Sequence, residues 1–174
     1  MKRLPWLWLG VCLFSSMSWA ESTTPAKWQT LSQGTATWLF MDIYQAKLKS
    51  KMSLKANFLS NEQPLQLELC YFKSISPDIL IKGANEVLPD NLSVDLQAAV
   101  NGLHASYQAV EPNDCYRLSY ENGITQLQLN EQTVFTTKTA GFKAVYFGIW
   151  LGENPLSASL KKELLNLKTP RENT

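Results

Sequence analysis

Polar and apolar side chains alternate along 65–72. Leu65, Leu67, Leu69 and Tyr71 take one side, and Gln66, Glu68, Cys70 and Phe72 the other. A period of two marks a half-buried strand. Segments 27–40 and 41–52 read as two more strands, rich in Thr, Trp, Leu, Ile and Tyr, with Lys47, Lys49 and Lys51 at every second position. Positions 52–64 form a loop. The period changes at Ser76. Ser76-Pro77-Asp78 offers a capping hydroxyl, a proline for the first helical position and an acid near the positive end of the helix dipole. Leu80, Ala84, Val87 and Leu88 then share a helical face until Pro89. A second helix begins near Ser93, with Leu96, Val100, Leu103 and Tyr107 at helical spacing.

Strands return at Cys115, where Tyr116, Leu118 and Tyr120 alternate up to Asn122-Gly123. That dipeptide supplies the positive φ angles of a tight hairpin. Leu127 and Leu129 continue the return strand, and 133–138 forms another. A third helix spans about 140–151, with Phe142, Val145, Tyr146, Ile149 and Trp150 on one stripe. Ser157 caps a last helix through Leu160, Leu164 and Leu167. Strands, two helices, a meander and two helices imply an α+β fold: an antiparallel sheet covered on one face by helices. This segregation argues against a doubly wound parallel sheet.

Residues 1–20 of the 174 have the three parts of a cleavable export signal: Lys2-Arg3, an apolar stretch over 4–14, and Ser18-Trp19-Ala20 with small residues at the cleavage positions. The stretch is too short to cross a bilayer, which takes about 20 apolar residues, and no second apolar run of spanning length follows. A single domain over 21–174, with an ordered core of about 27–168, is expected in the periplasm. Of the 16 basic residues, Lys2 and Arg3 fall in the leader, leaving 14 against 15 acidic. That balance gives no sign of a nucleic-acid partner, and none is expected. An oxidising compartment permits a bond between Cys70 and Cys115, which would contribute roughly 4 kcal/mol by closing their loop; the alternative is two separate buried thiols.

Tyr146-Phe147-Gly148-Ile149-Trp150-Leu151-Gly152, then Asn154-Pro155 and 160–165, resembles the closing signature of the bacterial chalcone isomerase-like family. Segment 34–51, with Ile43-Tyr44-Gln45-Ala46-Lys47-Leu48, resembles its opening strand pair, and Leu69-Cys70-Tyr71-Phe72 its next strand. Asn113-Asp114 stands where the family usually has Gly-Asp. The resemblance implies an open-faced β-sandwich with a cleft for a flat or elongated apolar molecule. It also implies an arginine from the first strand pair, with tyrosine nearby, to hold the ligand's oxygens. A phenolate or carboxylate in an apolar cleft needs a fixed cation and donors.

Segment 27–52 contains no arginine; beyond the leader the chain has only Arg117 and Arg171. Arg117 points to the face opposite Tyr116, Leu118 and Tyr120. It substitutes for the missing group if that face lines the cleft, and is a solvated strand residue if the face meets water. Lys47 could likewise meet an anion or merely keep a strand surface soluble. Tyr44, Tyr116 and Tyr120 are the candidate hydroxyls. His104, the one histidine, lies off its helix's apolar stripe and is expected at the surface. It cannot form a His-based metal cluster alone, and no Gly-x-Ser-x-Gly elbow supports a hydrolase. No cofactor or metal is expected. The resulting expectation is a non-catalytic periplasmic binding or accessory protein for a fatty-acid-like or other apolar anionic ligand. The alternatives are an isomerase or lyase acting on a phenolic or polyketide-like substrate, and a structural or interaction protein with a filled cleft.

Overall fold

The computed structural model describes residues 26–166. The expected leader and its expected cleavage site, Leu167 and Arg171 lie outside the described residues. Six strands form one sheet in chain order: β1 (Gln29–Trp38), β2 (Met41–Ser50), β3 (Leu65–Tyr71), β4 (Cys115–Glu121), β5 (Ile124–Leu129) and β6 (Gln132–Thr137). Every neighbouring pair is antiparallel. Helices α1 (Pro77–Asn85) and α2 (Val94–Ser106) lie between β3 and β4 in the chain, and α3 (Phe142–Leu151) and α4 (Ala158–Leu165) follow β6.

The register turns the alternation into two unlike faces. Leu48, Leu67, Leu118 and Leu127 stand opposite one another across four strands, as do Ala46, Leu69, Tyr116 and Leu129. These rows meet Val100 and Leu103 of α2, Phe142, Phe147 and Ile149 of α3, and Leu160 and Leu164 of α4 in one buried core. Each fully covered Leu, Ile or Phe contributes about 1.5–3 kcal/mol. The opposite face carries the row Lys47, Glu68, Arg117 and Gln128 and the row Lys49, Gln66, Ser119 and Gln126. No helix covers it.

Helix α4 closes the β1 edge. Glu163 accepts from the Thr35 N–H at 3.1 Å, and the Ser32 hydroxyl donates to the Leu164 carbonyl. Gly34 permits this approach, because a Cβ there would meet Glu163 and stand 2.9 Å from Leu160 Cδ1. The Thr35 N–H held this way is not free to pair with another strand.

The structure departs from the sequence reading at several places. Helix α1 ends at Asn85, so Val87 and Leu88, read as part of its apolar face up to Pro89, lie beyond it. β1 stops at Trp38 and turns at Leu39-Phe40, with φ of 47° and 65°, whereas the pattern ran the strand to 40. Nothing in Leu-Phe announces a turn, since this conformation is normally left to Gly or Asn. Ser76 occupies the N-cap of α1, but its hydroxyl makes no capping bond; its carbonyl accepts from Ile79 and Leu80 instead. His104 is half-buried rather than at the surface, because α2 lies against the aromatic rings described below. Cys70 and Cys115 face each other across β3 and β4, and their sulfurs are joined at 2.05 Å.

Candidate functional site

The candidate residues divide between the two sides of the sheet. On the helical side, alternation in β2, β3 and β4 aims Tyr44, Tyr71, Tyr116 and Tyr120 at the core, where all four are buried. The helices add Tyr107 at the end of α2, and Tyr146 and Trp150 one turn apart in α3. Tyr71 stands between Tyr44 (ring centroids 5.5 Å) and Tyr116 (6.4 Å), Tyr107 lies 5.3 Å from Tyr116, and Phe142 stacks on Tyr146 at 5.3 Å. Edge-to-face and offset contacts of this kind stabilise the layer beyond its area alone.

Hydrogen bonds fix the hydroxyls. The Trp150 indole N–H donates to Tyr44 Oη at 3.1 Å, and the Tyr107 and Tyr146 hydroxyls pair at 2.9 Å. Tyr116 Oη accepts from the Gln108 N–H at 2.8 Å and donates to the Gln108 carbonyl at 3.1 Å. Burial pushes Tyr44, Tyr71, Tyr107 and Tyr146 above the usual phenol range. They therefore remain neutral donors at physiological pH. His104 lies 6.0 Å from the Tyr146 ring and 6.1 Å from Tyr107. Its Nε2 is buried and has no hydrogen-bond partner among the described residues, and burial lowers its pKa, so the imidazole is neutral.

Lys47 and Arg117 lie on the open side, away from the tyrosines. Glu68, in the middle strand, gathers the cations: Lys49 at 2.9 Å, Arg117 at 3.1 Å and Lys47 at 3.8 Å. Burial raises the Glu68 carboxyl, but bonds and charges from Lys49 and Arg117 outweigh it and hold the group below its ordinary range. Arg117 also reaches Glu131 at 3.6 Å. An open concavity of about 560 Å³ adjoins this row, lined by Trp28, Gln66, Ser119, Gln126 and others. The cations expected to meet an anion beside a tyrosine are thus bound to a carboxylate on the other side of the sheet.

The pattern missed one buried cation. Lys143 in α3 is 5% exposed; its ammonium donates to the carbonyls of Asn61 (2.8 Å) and Gln63 (2.7 Å) and lies 4.5 Å from the centre of the Tyr120 ring. Burial lowers its pKa to about 8, against the opposing pull of Glu62. The Tyr120 hydroxyl donates to Glu62; burial, with that bond and charge, pushes it up to about 12. A lone lysine in the apolar helix Phe-Lys-Ala-Val-Tyr-Phe was the available signal; loop residues Asn61, Glu62 and Gln63 carried none. A second concavity, of about 340 Å³, lies between Phe58, Leu59, Leu151 and Leu165, with Lys161 at its wall. Neither concavity opens onto the tyrosine layer.

Among the described residues, a six-stranded antiparallel sheet, four helices and a layer of buried tyrosines between them define an open-faced α+β protein. Residues 27–166 match the chalcone isomerase-like family, and the chain belongs to it. Among solved structures, a fatty-acid binding protein of Arabidopsis thaliana, AtFAP1, shares the fold, with a TM-score of 0.63 over 81% of this chain and 90% of that one at 11% identity. A comparison with curated proteins finds no match.

Proposed function

We propose that this is a periplasmic, non-catalytic binding protein whose ligand is an acyl-like molecule with a polar or acidic head, taken up between the sheet and helices α2 and α3. The observation that carries the reading is His104 Nε2, a buried polar atom without a partner among the described residues, beside the Tyr107–Tyr146 pair. Buried polar atoms are rarely left unsatisfied, and a ligand oxygen would complete this one. Tyrosine and neutral histidine donors suit a carboxylic or hydroxyl head, while the surrounding Leu, Phe and Tyr rings suit an alkyl chain. The fold is shared with AtFAP1, whose name states fatty-acid binding. Against turnover stands the separation of Arg117 and Lys47 from the tyrosines. Lys143 does lie beside Tyr120, but two carbonyls hold its ammonium and Glu62 holds the phenol.

Native mass spectrometry of the chain from Glu21, as purified and after adding C12–C18 fatty acids, tests the reading. A stoichiometric adduct, weakened at least about tenfold by His104→Phe, is expected. No co-purified lipid and no adduct would overturn it. That result would favour the structural reading, which the ring-filled space between sheet and helices supports. Chalcone cyclisation above the spontaneous rate would instead restore the isomerase.

A further inference from the structure

The β1–β2 turn presents four consecutive large apolar side chains to solvent: Trp38 (65% exposed), Leu39 (66%), Phe40 (104%) and Met41 (47%). Phe72 (44%) lies at the same end of the sheet, its N–H bonded to the Ile43 carbonyl at 2.9 Å. Soluble proteins seldom gather bulky apolar groups on a protrusion without a use for them. The backbone adds an independent sign. Three hairpin turns here place both central residues at positive φ; two of them begin with Asn, at Asn122-Gly123 and Asn130-Glu131, and the third is Leu39-Phe40. Bulky side chains are disfavoured in that conformation, whereas Asn-Gly adopts it readily. The strain therefore falls on a turn whose side chains are the two exposed residues Leu39 and Phe40.

The shape selects the occupant. These exposed side chains offer on the order of 600 Å² of surface, short of the roughly 800 Å² each partner gives to a stable protein complex. A convex tip also needs a concave counterpart on a protein, but none in a bilayer. Trp favours the membrane interface, and Leu, Phe and Met can enter the acyl boundary. Nearby charges, Asp42 and Lys73, oppose each other in sign, so the contact is apolar rather than ionic.

We infer that the Trp38–Met41 turn is a membrane-contacting tip that dips into the interfacial layer of a lipid bilayer. This rests on the hairpin alone and stands whether or not the tyrosine layer binds a ligand. The test pairs vesicle co-sedimentation with thermal unfolding, using phosphatidylcholine vesicles and the chain from Glu21. The double variant Leu39→Asn/Phe40→Gly, together with Phe40→Ser, probes the tip. Wild type should sediment with vesicles, with little change on adding salt, and both variants should bind at least about tenfold more weakly. The Asn-Gly turn should at the same time raise Tm by a few degrees, because the backbone strain is relieved. Variants that bind vesicles as well as wild type, or a wild type that does not bind, would overturn the inference. So would a dimer in solution that the variants dissociate, which would assign the tip to a second copy.

Discussion

Replacing Cys70 and Cys115 together by alanine should lower the stability of the folded chain by about 4 kcal/mol, and the effect should lie in the unfolded state. In the native sheet the two residues are already opposite neighbours, and the backbone bonds Tyr71 N–H to Asp114 O (2.9 Å) and Asn113 N–H to Tyr71 O (2.8 Å) hold the strands together beside them. Removing the bond therefore costs little contact. What it releases is a denatured chain otherwise pinned across 45 residues, which carry both α1 and α2. Loop-closure entropy for that separation is about 4 kcal/mol at 25 °C, on the order of 10 °C in Tm for a domain of this size. Urea titrations of wild type, reduced wild type and the double variant measure it, and the slope should rise as the unfolded chain expands. A loss below about 1 kcal/mol, with native structure intact, would refute the entropic account. A lost native near-ultraviolet spectrum would show that the bond holds the native sheet itself.

Glu68→Gln should cost about 1–2 kcal/mol at neutral pH, since Lys47, Lys49 and Arg117 lose their shared counter-charge. The native carboxyl is held below its unfolded value, so its contribution is present above about pH 4.3 and fades as pH falls through the folded pKa. Acid titration of wild type and variant should show the gap closing there. Lys143 behaves oppositely: its folded pKa of about 8 lies below the unfolded value, so the unfolded chain binds more protons between them and stability rises with pH over that window. The gain should be on the order of 1–2 kcal/mol once solvent screening is allowed for, and Lys143→Met should abolish this rise in urea titrations from pH 7 to 10. Gly34→Ala should destabilise by about 1–3 kcal/mol and loosen α4 from β1, seen as faster amide exchange at Thr35, because the new methyl meets Glu163 and Leu160.

The sheet, its single covered face and the four helices were readable because burial imposes periods of two and 3.6 on the chain. Asn122-Gly123 was readable because its turn needs residues that accept positive φ. The Leu39-Phe40 turn was not, since it uses the same backbone with residues chosen for something other than the turn. The site was harder. That Tyr44, Tyr116 and Tyr120 face inward follows from alternation, but the partner of Arg117 depends on the register of β3 against β4, which one strand's pattern does not contain. Lys143 finds its carbonyls about 80 positions earlier in the chain. His104 lies off its helix's stripe, and only the arrival of α3 turns that flank inward.

The bond from Thr35 to Glu163 and that from Ser32 to Leu164 have a consequence for biogenesis. Among the described elements, the first strand to leave the ribosome is sealed by the last helix to follow, so until then its outer margin is a bare template for stray chains. Any product cut short before α4 would carry that sticky flank permanently. Such fragments should clump while the complete polypeptide stays dispersed.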